Sequence, residues 1–358
     1  VERNKLIIFE LTNRRILLIF GTRPEAIKMA PLVIAFKKSS HLVKVCVTAQ
    51  HRQMLDQVLA FFELVPDYDL DLMSPNQTLN SLSGKLFQSI DSVYQDFKPD
   101  MVFVHGDTTT SSICAWAAFH RRIKVAHIEA GLRTYNKNSP FPEEINRQIT
   151  GRIADFHFAP TVLAKQNLVN EGVSEKDIIV TGNTVIDALF MGLNKIDSGY
   201  LGPDLEMVKS TIDDSKKLIL VTGHRRENFG EGFENLCKAL RTISERNDVQ
   251  IIYPVHLNPQ VQEPVNRFLG NQSNIKLISP VDYPAFIYLM KASYIIITDS
   301  GGVQEEAPSL GKPVIVTRKT TERPEAVDAG TVRLTGTDTK IIVEVVNELF
   351  DDSIVYNS

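Results

Sequence analysis

From Thr298 to Val314 the chain reads TDSGGVQEEAPSLGKPV, in which an apolar run, YIII at 294 to 297, gives way to Ser300, Gly301 and Gly302 where a helix is expected to begin. The chemistry that suits such a turn is anion binding. Small residues let the backbone approach a ligand, and the unpaired N–H groups of a first helical turn point at it, with phosphate the natural occupant. Glu305 and Glu306 follow one turn later. A carboxylate aimed at the same phosphate would repel it, so at least one of the two is better suited to ribose hydroxyls. An ordinary strand-to-helix turn with a solvated acidic face is the other reading of this segment taken alone.

A second set of chemical groups lies in the first half. VHGDTTTSS at 104 to 112 ends an apolar run with Asp107 and continues with hydroxyl residues suited to N-capping. AHIEAGLRT at 126 to 134 repeats the pattern with Glu129, and PFPEEINRQ at 140 to 148 places Glu143, Glu144 and Arg147 behind two prolines. Asp107 and Glu129 close adjacent hydrophobic segments, where burial shifts carboxylate pKa values into the range of proton transfer. His105 with Asp107 and His127 with Glu129 have the i, i+2 spacing that puts two side chains on one face of a strand, so a two-strand metal site fits geometrically. The alternative is that these histidines orient or tune the carboxylates. The sequence contains no GxGxxG, Walker loop, GxSxG or HExxH, the signatures of dinucleotide redox, ATP-type hydrolysis, triad and zincin chemistry.

The elements that must position these groups are short β-rich runs alternating with helical patterns, the signature of βαβ units and parallel sheets. Strands are expected at 15 to 20, 43 to 49, 100 to 106, 124 to 131 and 155 to 160, and a second series at 217 to 223, 249 to 256, 275 to 279, 294 to 298, 312 to 317 and 331 to 335. The restart puts a boundary between about 185 and 210 in a chain whose 358 residues suit two domains. RILLIFGTRPE at 15 to 25 aligns with KLILVTGHRRE at 217 to 227, either an echo of two similar halves or a coincidence of short apolar segments. Lys and Arg number 39 against 43 Asp and Glu, for a net charge of −4, and no basic tract tracks a nucleic-acid backbone. No apolar run reaches the roughly 18 residues of a membrane span, and VERNKLIIFELTNRR lacks the core and cleavage site of a signal peptide, so a cytoplasmic protein is expected. Cys46, Cys114 and Cys237 lie scattered in apolar surroundings and read as reduced core residues.

GTRPEAIK at 21 to 28, HGDTTTS at 105 to 111, HIEAGLRT at 127 to 134, PFPEEINR at 140 to 147, GNTVIDAL at 182 to 189, GHRREN at 223 to 228, PVHLNP at 254 to 259, TDSGGVQEEAP at 298 to 308 and ERPEA at 322 to 326 together resemble the non-hydrolysing UDP-N-acetylglucosamine 2-epimerases. The resemblance covers nearly the whole chain apart from residues 1 to 13. It implies a GT-B fold, with two Rossmann-like doubly wound parallel-sheet domains facing a cleft. Residues 1 to 190 would carry the catalytic carboxylates, 191 to 340 the UDP site, and 341 to 358 a helix returning to the first domain. It further implies a homodimer, no cofactor or metal, and interconversion of UDP-GlcNAc and UDP-ManNAc for surface polysaccharide synthesis.

The C2 hydrogen of that substrate has no neighbouring carbonyl, so departure of UDP from C1 must acidify it, giving 2-acetamidoglucal as intermediate. Anti elimination and syn re-addition need acid/base groups on both faces of the ring. By resemblance Asp107, Glu129, Glu143 and His224 are the catalytic set. Arg23, Lys28, Arg147, Ser300, Gly301 and Gly302 bind substrate, and Glu306 takes the ribose. A second, allosteric UDP-GlcNAc is expected at Gln50, Gln53, Arg225 and His256, although Asn76 stands where some relatives place an arginine. A hydrolysing 2-epimerase, a GT-B glycosyltransferase and a non-catalytic nucleotide-sugar sensor are the rival readings.

Overall fold

The structure, a computed structural model, describes residues 13–48, 52–74, 76–223, 225, 228–318, 320–321, 326–327 and 329–357, with Gln53 and Asn357 described by backbone alone. The chain divides after Ala188 into two compact units. The first holds a seven-stranded sheet made of β1 (Arg15–Phe20), β2 (Leu42–Val47), β3 (Tyr68–Asp69), β4 (Met101–His105), β5 (Lys124–Ile128), β6 (Phe156–Ala159) and β7 (Ile178–Val180). Their order is β3-β2-β1-β4-β5-β6-β7, and every pairing is parallel. Parallel pairing follows from the sequence of β1, where Ile16 to Phe20 are all 1% exposed or less, because an unbroken apolar run must be covered on both faces. On one face the helices Leu79–Phe97 and Thr109–His120 pack Leu86, Ile90, Tyr94, Cys114 and Ala118 against Leu17, Ile19, Val102 and Val104.

The second unit holds β8 (Lys217–Thr222), β9 (Val249–Pro254), β10 (Ile275–Ile278), β11 (Ile295–Thr298), β12 (Val314–Val316) and β13 (Val332–Leu334), again all parallel, in the order β10-β9-β8-β11-β12-β13. Both sheets therefore reverse their winding at one place, between β1 and β4 in the first and between β8 and β11 in the second. Ligands of such doubly wound, Rossmann-like sheets bind beyond the carboxyl ends of the strands at that switch point. The chemistry-bearing turns of the sequence sit there: Gly21 after β1, Gly106 and Asp107 after β4, Gly223 after β8, and Asp299 to Gly302 after β11.

The helix Thr339–Asp351 buries Ile342, Val346, Leu349 and Phe350 in the core of the second unit, and Tyr356 stacks on Tyr294 with ring centroids 4.1 Å apart. These residues thus pack within the second unit. The apolar stripe of that helix joins Ile219, Val249 and Phe233 in one core.

Past β5 the backbone turns sharply. Glu129 has φ +59° and Gly131 φ +93°, and a Cβ on Gly131 would lie 2.2 Å from the carbonyl oxygen of Ala164. Gly131→Ala should therefore cost at least about 2 kcal/mol, left-handed strain and overlap acting together. Urea unfolding of the variant checks this, and an unchanged midpoint would contradict it.

Candidate functional site

The site in the first unit is built on the turns after β1, β4 and β5 and on the helix Glu143–Ile153. Asp107 follows Gly106, whose φ of +64° redirects the chain at the end of β4. Gly106 is pinned on both sides: its N–H donates to Ile128 at 2.8 Å, and its carbonyl oxygen lies 2.7 Å from Nε2 of the buried His127. A carbonyl can only accept, so Nε2 carries the proton. Burial depresses His127 to about 3 against the partial support of that hydrogen bond, and the ring is neutral at pH 7.

The Asp107 side chain is 29% exposed and takes Nη2 of Arg147 at 2.5 Å. Its pKa is pushed up to about 6. Burial is the largest cause, Arg147 opposes it, and the charges of Glu129 and Glu143 raise it further. Arg147 is itself braced by Glu144, fully buried, at 3.4 Å. Burial works to raise the Glu144 pKa, but the amides of Thr134 and Tyr135, the side chain of Gln148 and Arg147 more than offset it, and the net direction is down. Both carboxylates of the Glu143–Ile153 helix lie in its first turn, where the helix dipole favours negative charge.

Glu129 is 9% exposed and held from three sides. Lys28 Nζ lies 2.6 Å and Asn183 Nδ2 2.9 Å from its Oε1, while His105 Nε2 lies 3.5 Å from Oε2, beyond a normal hydrogen bond. Burial lowers His105 to about 4, with Glu129 raising it and Lys28 lowering it, so it too is neutral at pH 7. Lys28, which the resemblance places among the substrate-binding residues, has Glu129 as its partner in the structure. Neither histidine pair gathers as a metal site: among the described residues no group of three or more His, Cys, Asp or Glu side chains could hold an ion. Arg23 opens the helix Arg23–Lys37. Thus Asp107, Glu129, Glu143 and Arg147 come together with Lys28, and Asn183, Glu144 and Glu25 join them without having been given roles from sequence. Asn183 lay within the motif GNTVIDAL, and Thr22 with Glu25 forms a T-x-x-E capping signature that was there to be read.

In the second unit Ser300 donates its N–H to Thr298 Oγ1 at 2.9 Å, and Gly302 caps the helix Val303–Ser309 without contributing a side chain. Gly302 has φ −65°, so glycine here leaves space above the turn rather than serving a left-handed backbone. Glu306 is buried one turn on, its Oε2 3.5 Å from where a Gly302 Cβ would stand. Arg225 donates its N–H to Asp299 at 2.9 Å, and His256 Nδ1 accepts from the Asn258 N–H at 3.1 Å. His224 and Gln50, and the side chain of Gln53, lie outside the described residues.

A family model described as UDP-N-acetylglucosamine 2-epimerase matches residues 35–358. The chain belongs to the UDP-N-acetylglucosamine 2-epimerase family. It is 55% identical over 347 residues to the UDP-N-acetylglucosamine 2-epimerase of Salmonella typhimurium, an alignment covering 96% of this chain and 92% of that one. The crystal structure of the Neisseria meningitidis UDP-GlcNAc 2-epimerase bound to UDP-GlcNAc is similar at a TM-score of 0.88 and 50% identity, covering 96% of this chain and 93% of that one. The Methanocaldococcus jannaschii UDP-GlcNAc 2-epimerase in complex with UDP-GlcNAc and UDP is similar at 0.78 and 36% identity, covering 95% and 93%. Two parallel α/β domains of GT-B type and a UDP-GlcNAc 2-epimerase enzyme class follow for this chain.

Within this epimerase fold the raised Asp107 pKa has a consequence for stability. A carboxyl whose folded pKa is raised contributes fully below its unfolded value of about 4 and loses that contribution as pH climbs through the folded value. Asp107→Asn removes the charge that burial penalises, so the variant should melt above the parent at pH 8, with the gap closing toward pH 4. Its epimerase rate should fall by roughly a hundredfold, the usual worth of a proton-transferring group. Calorimetry at both pH values with a coupled assay checks this; lower stability at pH 8 or near-full activity contradicts the assignment.

Proposed function

We propose that this chain interconverts UDP-GlcNAc and UDP-ManNAc reversibly and without net hydrolysis. A carboxylate removes the C2 proton, the C–H electron pair forms a C1–C2 double bond, and the C1–O bond breaks with its electrons leaving on UDP. UDP then adds back to its original face while C2 is protonated from that same face, the one opposite to the face that lost the proton. The observation that carries the reading is that Asp107, raised to about 6 by burial, feels the charges of Glu129 and Glu143 beyond the carboxyl ends of the strands, while Glu129 has a lysine beside it. Carboxylates in unlike environments are the means by which one site supplies both acid and base near neutral pH. Ser300, Gly301 and Gly302 hold the diphosphate, Glu306 the ribose, and Arg23 and His224 offset the charge of departing UDP.

On this reading Arg147 orients Asp107, and Lys28, paired with Glu129, stands beside the substrate. The relatives solved with UDP-GlcNAc and with UDP support the choice of nucleotide sugar. Arg225 and His256, with Gln50 and Gln53, are kept as the place of a second, regulatory UDP-GlcNAc. The product would feed surface polysaccharide synthesis from the cytoplasm. Among the described residues no helix is long and apolar enough to cross a membrane.

A homodimer is part of the proposal. Phe87, Trp116, Phe119 and His120 form an aromatic cluster on the helices Leu79–Phe97 and Thr109–His120, with Phe87 and Trp116 edge-on at 5.9 Å. Trp116 and Phe119 are 42% and 60% exposed, and large exposed aromatics grouped together mark protein contacts.

Turnover in D₂O tests the chemistry. Deuterium should appear at C2 of both epimers, with traces of UDP and 2-acetamidoglucal; complete retention of protium rules the path out, and free ManNAc with stoichiometric UDP points to the hydrolysing enzyme instead. Sedimentation tests the assembly: the parent should run as a dimer and Trp116→Glu/Phe119→Glu as a folded monomer, whereas a monomeric parent removes the homodimer from the proposal.

A further inference from the structure

Glu25 is a buried carboxylate that the proposed chemistry does not use. It is 3% exposed, the third residue of the helix Arg23–Lys37. Its Oε2 accepts the N–H of Gly21 at 3.0 Å, the N–H of Thr22 at 2.8 Å and the hydroxyl of Thr22 at 2.9 Å. Its Oε1 faces the other strand of the switch point. There it accepts the Thr108 hydroxyl at 2.7 Å, with the Ser111 hydroxyl at 3.2 Å. One oxygen thus belongs to the turn after β1 and the other to the turn after β4, 83 residues away. A capping box closes with the local half alone, and glutamine serves that half as well as glutamate. Donors converging from two separate turns demand an acceptor at both ends, which a carboxylate provides and an amide does not.

The two turns so joined carry the proposed chemistry. Thr108 is the neighbour of Asp107 and the N-cap of the helix Thr109–His120, through its acceptance of the Ser111 N–H at 3.1 Å. The Glu25 helix bears Lys28, which reaches Glu129. Burial is the largest influence on Glu25 and raises its pKa, a cost accepted at a place where no substrate proton is exchanged. The same carboxylate takes the amides of Gly21 and Thr22, just before the helix after β1, a turn that seats phosphate in many doubly wound folds.

We propose that Glu25 is a positioning residue: it locks the Asp107 turn to the Lys28 helix and so sets the relative placement of Asp107 and Glu129. This rests on the reading of those two as acid/base groups. Glu25→Gln keeps the local capping box and severs the charged tie; Thr108→Val severs it from the other end, and Thr108→Ser keeps the hydroxyl. Steady-state assays with UDP-GlcNAc should show kcat lowered about tenfold or more in Glu25→Gln and in Thr108→Val, with KM within about threefold, since misplacement of reacting groups acts on the transition state. The double variant should be no worse than about twofold below the slower single one, because both cut one tie. The acid limb of the kcat profile should shift as Asp107 leaves its setting, and Thr108→Ser should recover most of the rate lost in Thr108→Val.

Wild-type kcat with an unchanged pH profile in Glu25→Gln, additive losses in the double variant, or a change in KM alone each overturns the positioning role. If circular dichroism shows Glu25→Gln unfolded, the Val and Ser variants at 108 decide the matter by the same criteria. A parent enzyme without epimerase activity overturns the functional reading and this role with it, whereas an active parent with an equally active Gln variant overturns this role alone.

Discussion

Carboxylates drawn together beyond the carboxyl ends of parallel strands repel one another, and the first unit is organised around tolerating them. Asp107 feels both Glu129 and Glu143, with Glu144 and Glu25 nearby on the flanking helices. Two cations divide the burden, Lys28 on Glu129 and Arg147 between Asp107 and Glu144. Cations alone would over-stabilise the charged forms and leave nothing poised to exchange protons near neutral pH. Burial supplies the opposing influence, and at Asp107 it outweighs its arginine. The histidines are part of this balance. Kept neutral by burial, His105 and His127 fill the space beneath the carboxylates with polar groups that add no further charge.

Sheet architecture was legible because parallel strands in a two-layered cover are apolar along their whole length, as in RILLIF of β1 and the IIIT of β11. β3 and β7 were not. Tyr68–Asp69 is too short to leave a hydrophobic pattern, and Ile178–Val180 is an edge strand with Ile179 and Val180 38% and 42% exposed. Asp107 and Glu129 announced themselves because each follows a strand end, and Glu143 because it stands behind two prolines at the start of a helix. Their partners did not. That Lys28 meets Glu129, 101 residues on, depends on β1 and β5 flanking β4, an order that local sequence does not encode. Asn183 after a glycine reads as a turn residue, and Glu25 reads as half of a capping box whose distant half is invisible. The left-handed Glu129 was likewise unreadable, since a strand end predicts extended backbone.

The two units meet the same mechanical demand with opposite polarity. At each switch point neighbouring strands feed helices to opposite faces, so their outgoing turns diverge and need a tie. In the first unit the carboxylate comes from the β1 side, Glu25 reaching to Thr108 after β4. In the second it comes from the β11 side, where the fully buried Asp299 accepts the Arg225 N–H from the turn after β8. The hydroxyl pair Thr222 and Thr298, 2.6 Å apart, reinforces that junction, whereas in the first unit Thr48 after β2 and Thr110, 2.9 Å apart, lie across Gly21. The direction of the tie determines what each turn has left to offer. With Glu25 doing the fastening, the acid after β4 remains part-exposed and its pKa is free to be tuned for proton transfer. With Asp299 built into the junction, the turn after β11 presents backbone and small side chains, which suit an anion and cannot exchange its protons. On the proposed function, the division of labour between an acid/base unit and a nucleotide-binding unit corresponds to which strand supplies the fastening carboxylate.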